Sequence, residues 1–479
     1  MIRDGLEAEM SDLAGACDAD GRGGRRWRAC ALVLAVLLVV AGLVWKREHD
    51  RASAQDRIAV AHGLALHAAE LRGAAPGMAR VLGLVAVEIH SDEQTRAGLI
   101  DTMVGMGSDE LTPDPSGEVV LSDDGRIALT GGDEMSVWDL TTWLDPKIVN
   151  KSDRIAVLKD RREGLSMTAL SGDGRTALIG GGGDTVVWDL TDPAKPIRAA
   201  VLAGGKNAED DDSVQSMALS RDGHTAVIAD LGRDLNVWDL TDRSHPVRLS
   251  MTRTRDSSIV SDLRLSADGG IAVISYEGLF NDGAVAVWDL SDPSRPVKSA
   301  DLALPAGKYA RATAMSADGR VILFGNAHWA EVWKLDDRSR PVRTATLDVP
   351  LNDMYGMALT PDGKTALLAG PSDSGILWDL SDPSKPTRLA ALKGYTREIN
   401  SVALGADGGV ALTAGPGGVS LWNLRDLAEI VADPERVACR VNPGTQISKA
   451  DWDRYTGGAD WSDYKGEDLP NALAACAIR

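Results

Sequence analysis

A nucleotide-binding P-loop needs a glycine-rich turn whose amides cradle phosphates, followed by Lys and then Ser or Thr. Gly363-Lys364-Thr365 comes nearest to that pattern, but the first required glycine is replaced by Ala358. The same segment also carries an Asp-Gly pair of the kind that closes a tight hairpin, so no nucleotide site is expected there. The chain has no His-Glu-x-x-His, no Gly-x-Ser-x-Gly and no Cys-x-x-Cys. Its seven histidines are scattered, which argues against zinc. The acidic run Glu209-Asp210-Asp211-Asp212 lacks the alternating ligands and the glycine of a calcium loop, and reads as a solvated loop. No catalytic set, metal site or cofactor is expected.

The elements that would position any site follow from an internal repeat. Trp138, Trp188, Trp238 and Trp288 recur every 50 residues, each in a Val-Trp-Asp-Leu segment; Trp333, Trp378 and Trp422 follow at spacings of 45, 45 and 44. Each is preceded by an Asp-Gly pair, from Asp124-Gly125 to Asp407-Gly408, flanked by alternating apolar runs of the kind half-buried strands show. A Pro-bounded polar corner such as Thr191 to Pro196, then one more apolar strand, completes each unit. A lone four-stranded sheet buries too little to be stable. Seven stacked in a circle cover one another's faces.

These residues resemble the WD-repeat family: the Trp-Asp dipeptide ending a third strand, the Asp-Gly hairpin and the repeat length all match over residues 112 to 430. The resemblance implies an all-β, seven-bladed WD-repeat β-propeller, set at 105–430, in which the motif tryptophans pack between blades. The family's Gly-His before each first strand is missing, with Gly394-Tyr395 the nearest remnant, so its His hydrogen-bond network is not expected and apolar packing must carry the blades. The fourth unit has extra residues between its second and third strands, Tyr276 to Gly283. In the family, a segment from before the first blade often completes the last one; Thr102 to Gly107 is the candidate here.

Ahead of the repeats, Ala29 to Trp45 gives 17 apolar residues without a charge, long enough to span a bilayer. Its five Leu and five Val together favour insertion by about 4 kcal/mol. Trp27 and Trp45 sit where interfacial aromatics belong, and the exit Leu43-Val44-Trp45-Lys46 looks like an uncleaved anchor. The organisation read from the sequence is a short cytoplasmic tail (1–28), a transmembrane helix (29–45), a helical stalk (46–104), the propeller and a C-terminal tail (431–479). Pro76 is placed to start a helix, and Ser91 with Gln94 has capping-box spacing for another. His62 and His67, five apart, do not share a helical face as ligands and read as ordinary helix residues. Basic residues tie on the two sides of the span. Cys439 and Cys476 form an even pair on the far side, which is simplest as a disulfide in an oxidising compartment. The expected placement is a single-pass protein of the cell membrane with its propeller outside the cytoplasm. The Ala/Leu-rich helices, the Trp-Asp-Leu-Thr/Ser-Asp-Pro-x-x-Pro corners and the tail around Trp452 are similar to bacterial signalling proteins that join a P-loop NTPase, a membrane helix and a WD-repeat propeller. That resemblance implies the propeller half alone.

The formal net charge of −19 repels phosphate backbones, so nucleic acid is not an expected partner. Tyr and Arg are the residues of binding hot spots. Tyr309, Tyr355 and Tyr395 fall between the fourth strand of one unit and the first of the next, with Arg311 and Arg397 nearby. Those loops are expected to gather on one face around the channel and bind a protein or peptide. The leading expectation is a membrane-anchored interaction scaffold or sensor and not an enzyme. The alternative is an extracytoplasmic propeller enzyme acting on a small molecule or glycan, for which a polar pocket at the channel mouth with clustered carboxylates or His of perturbed pKa would speak, whereas a scaffold would show a broad, shallow face.

Overall fold

The computed structural model describes residues 54–460 apart from 105–108, 113–116, 132–134, 144–152, 160–166, 182–183, 204–212, 232–233, 255–257, 279–282, 305–308, 327–328, 350–353, 371–373, 394–397 and 442–446. Seven four-stranded antiparallel sheets form among these residues. Their inner strands, from Val119–Leu121 in blade one to Ser401–Leu404 in blade seven, each pack on the next, and the seventh packs on the first. The molecule is a closed seven-bladed β-propeller.

The closing strand is Asp109–Thr112, which pairs with Gly418–Asn423 of blade seven. It lies beyond Thr102, where the sequence suggested it would begin. Thr102 and Met103 instead end the helix Glu93–Met103, and the Thr102 hydroxyl bonds back to Leu99 O at 2.7 Å. That helix is well started. Asp92 accepts from Thr95 N at 2.9 Å, and Thr95 Oγ1 accepts from Asp92 N at 3.0 Å. The capping box is therefore Asp92/Thr95, not Ser91/Gln94. Pro76 does begin its helix, Pro76–Ile89. In blade four the second strand runs on through Tyr276, which is 2% exposed, so that residue is core and not loop.

The Asp-Gly turns are more ordered than a simple hairpin. In blade one Ser122 Oγ donates to Asp124 Oδ1 at 2.7 Å and accepts from Ile127 N at 3.0 Å, while Asp124 Oδ1 also accepts from Arg126 N at 3.0 Å. The pattern repeats at Ser171/Asp173, Ser220/Asp222, Ser266/Asp268, Ser316/Asp318 and Thr360/Asp362. Only the glycine takes positive φ, between 67° and 75° at all seven turns. Backbone bonds then link neighbouring turns around the ring: Asp123 N to Gly172 O, Asp173 N to Arg221 O, Arg221 N to Ala267 O, Ala267 N to Ala317 O, Ala317 N to Pro361 O and Ala406 N to Asp123 O. The position in blade six that would donate to blade seven is Pro361, which has no N–H. A polar network thus stands beside apolar packing where apolar packing alone was expected.

The motif tryptophans lie on third strands. Trp138, Trp188, Trp288, Trp333 and Trp422 are buried; Trp238 and Trp378 are partly so. In the first six blades the ladder shifts beside the tryptophan, as between Val137 and Trp138, so one residue of the outer strand bulges. The shift sets a basic residue opposite each ring: Arg154, Arg198, Arg248, Lys298, Arg343 and Arg388. The Arg248 guanidinium stands 5.7 Å from the Trp238 ring centre.

A helical unit packs on blades six and seven. It comprises a helix over 54–71, then Pro76–Ile89 and Glu93–Met103, joined by C-terminal helices Leu427–Ala432, Pro434–Val441 and Lys449–Tyr455. Leu84, Leu99 and Met103 share a core with Leu377, Leu392 and Trp422. Trp452, fully buried, fills the core made by Leu64, Leu82 and Val85. Asp101, 6% exposed, pins the join: it accepts from Ala391 N at 2.7 Å and pairs with Arg388 at 2.8 Å. His62 Nε2 lies 2.6 Å from Asp92 Oδ2 and His90 Nε2 lies 3.5 Å from it, so His62 joins two helices where the sequence suggested an ordinary helix position. Among the described residues no helix is long and apolar enough to cross a membrane; Ala29–Trp45 lies outside them. Cys439 is disulfide-bonded, and Cys476 lies outside the described residues.

Candidate site in the central channel

Counting back from the turn hydroxyl of each blade gives the residues that open onto the channel. Five residues before it stand Gly117, Gln215, Ser261, Arg311 and Tyr355, with Asn400 at the same distance from Gly405. One step further along stand Glu118, Met167, Ser216, Asp262, Gly356 and Ser401. Together these line a cavity of about 460 Å³ to which every blade contributes. It lies at the starting ends of the inner strands, on the side opposite the ring of Asp-Gly turns.

Two residues on the second ring fasten blades together, and a third, Glu118, is set between two blades. Asp262 of blade four, 8% exposed, accepts from Thr313 N at 2.8 Å and Thr313 Oγ1 at 2.9 Å in blade five. It also accepts from Leu263 N at 2.9 Å and pairs with Arg264 at 3.1 Å. Ser401 of blade seven accepts from Val119 N of blade one at 3.2 Å. Glu118 of blade one faces Thr168 of blade two. Burial raises the Glu118 carboxyl to about 7, against the downward pull of the neighbouring Thr168 dipoles and the Arg264 charge, with Asp262 pushing it further up. Acid with a strongly perturbed carboxyl, in a concave polar site, is a mark of function.

Of the residues expected at a binding face, two meet. The Arg311 guanidinium sits 4.7 Å from the Tyr355 ring centre, and both line the cavity. Arg311 is exposed and Tyr355 half-buried. Tyr309 is half-buried two residues ahead of Arg311 and does not line the cavity. Tyr395 and Arg397 lie outside the described residues. The sequence reading missed Glu118, Gln215, Asp262, Arg264 and Asn400. They share no residue type; Gln215 and Asn400 stand five residues before the turn position, Glu118 and Asp262 four and Arg264 two, and that register was the signal that could have found them.

The cavity can hold a polar group of side-chain size or a small ligand, with cationic, acidic, amide and hydroxyl groups converging on it. No cluster of His, Cys, Asp or Glu suited to a metal ion occurs among the described residues. No family model and no curated protein matches the chain.

Proposed function

We propose that the chain is a WD-type propeller that works as a binding module, recognising a protein or peptide partner on the channel face. The observation that carries this reading is the Arg311–Tyr355 pair at the mouth of a cavity built by all seven blades. An exposed guanidinium seated on an aromatic ring is a typical anchor of protein interfaces. A partner segment lying across the face would insert one side chain into the cavity. Residues 29–45 are proposed as the membrane anchor, with the propeller outside the cytoplasm; the hydropathy of that segment and the bonded state of Cys439 support this.

Replacing Tyr309, Tyr355 and Tyr395 together by alanine tests the reading. Partner association lost, with the thermal transition retained, supports it. Association unchanged by the triple replacement discards the channel face.

The second reading is an enzyme acting on a small molecule. Glu118, with its raised carboxyl beside a polar cavity, is the observation in its favour. The binding module is preferred because Asp262, the other acid of the cavity, is committed to Thr313, Leu263 and Arg264. That leaves no second carboxylate to complete an acid/base pair among the residues lining the cavity.

A further inference from the structure

Four charged side chains line the channel cavity: Arg264 and Arg311 are cationic, Glu118 and Asp262 acidic. Asp262 is buried and its oxygens are occupied by Thr313, Leu263 and Arg264. Glu118 is half-buried between blades one and two and faces Thr168. With Glu118 protonated, the lining carries two cations against one anion. This positive balance, present below about pH 7 and cancelled above it, stands inside a chain whose net charge is −19, so it is a local feature and not an extension of the surface. The more exposed cation is Arg311, placed on Tyr355 at the mouth. Gln215 and Asn400, which line the same cavity, bring amide groups able to donate to a second oxygen.

We infer that the channel mouth is a carboxylate site, in which Arg311 on its Tyr355 platform pairs with an acidic side chain of the bound partner. The inference rests on the reading of the channel face as the binding surface and supplies the chemistry of the group that enters it. A planar carboxylate matches the fork of a guanidinium, and at the mouth of a concave site such a pair is partly shielded from bulk water. An amine or guanidinium ligand would meet Arg311 and Arg264 with like charge. Glu118 adds a pH dependence. The groups that face it are Thr168, Arg264 and Asp262, with Arg311 and Tyr355 lining the same cavity. Its carboxyl is raised to about 7. Below that pH it is neutral and tolerates an incoming carboxylate; above it the second negative charge opposes one.

The test uses the full chain in detergent, titrated by calorimetry at pH 6 and pH 8 with three probes: glutarate, the blocked tripeptide acetyl-Ala-Glu-Ala-amide, and butylamine. The expected result is saturable binding of the two carboxylates and none of the amine, with the peptide the tighter of the pair. Arg311→Ala should weaken carboxylate binding by about 10- to 100-fold. Binding should be several-fold weaker at pH 8 than at pH 6 in the native chain and level in Glu118→Gln. Glutarate tighter than the peptide would keep the carboxylate chemistry but assign it to a free small acid. Butylamine binding, carboxylate binding indifferent to Arg311→Ala, or no saturable carboxylate binding would each overturn the site. If a photo-crosslinker at position 355 still captures a partner in that last case, the binding face stands and only its carboxylate chemistry falls; if it captures none, both fall.

Discussion

Asp262 offers the sharpest test of how the channel wall is held. Its carboxylate accepts from Thr313 N, Thr313 Oγ1 and Leu263 N, at 2.8, 2.9 and 2.9 Å, and Thr313 is fully buried. Asp262→Ala leaves two backbone amides without their acceptor. A buried donor left unsatisfied costs about 1–3 kcal/mol. The Thr313 hydroxyl can rotate to another acceptor, and cavity water can reach part of the gap, so the expected loss is about 3 kcal/mol. The Arg264 pair adds little, because that guanidinium is 40% exposed and screened. Asp262→Asn keeps one acceptor oxygen and should cost about 1 kcal/mol. Urea unfolding of the full chain measures the loss, and hydrogen exchange locates it: the Thr313 amide should exchange faster in Asp262→Ala while the amides of blade two do not change. Native-like unfolding with an unchanged Thr313 exchange rate would refute the idea that this carboxylate clamps blades four and five.

Other consequences can be measured in the same way. Glu118 has a folded pKa of about 7 against an ordinary 4.5, so the folded state favours its protonated form. Its contribution is fully present below pH 4.5 and is lost as pH rises through 7, by up to about 3 kcal/mol before allowing for channel water. Glu118→Gln should remove that part of the pH–stability slope, as seen in melting curves across the window. Gly319 has φ of +69° and a Cβ there would meet Ile271, so Gly319→Ala should cost about 1–2 kcal/mol in urea, whereas Gly117→Ala, in open space, should be near neutral. Asp101→Asn breaks the join of helix Glu93–Met103 to blade six and should expose the helical unit to limited proteolysis before the propeller unfolds. An impermeant thiol reagent on intact cells should label Cys439 only after reduction; labelling only after lysis would place the propeller in the cytoplasm.

The parts of the fold legible in the sequence were those repeated in like residues. Seven tryptophans in register and seven Asp-Gly pairs with alternating flanks specify a circular array of hairpins, because each turn needs a glycine at positive φ and each blade needs the same buried ring. The closing strand was misplaced because nothing in Thr102 to Gly107 shows that the Asp92/Thr95 box carries its helix through Met103. The bridge from Asp262 to Thr313 spans two blades and could be seen only once the blades were docked. Tyr309 and Tyr355 looked equivalent as loop aromatics. Register separates them: Tyr355 falls five residues before its turn hydroxyl and faces the channel, while Tyr309 falls two residues short of that ring. The cavity itself was hidden because the channel-facing positions carry no common residue type from blade to blade.

A photo-crosslinking amino acid placed in living cells at Tyr355, and separately at Val297 on the outer strand of blade four, tests the channel-face proposal most directly. Val297 is 59% exposed and lies on the outermost strand of its blade, three strands out from the channel-lining strand Ser258–Leu265, so it controls for chance contact. A discrete protein adduct from position 355, absent from position 297 and lost with Arg311→Ala, is the predicted result. Adducts from position 297 alone, or from position 355 regardless of Arg311, would contradict it.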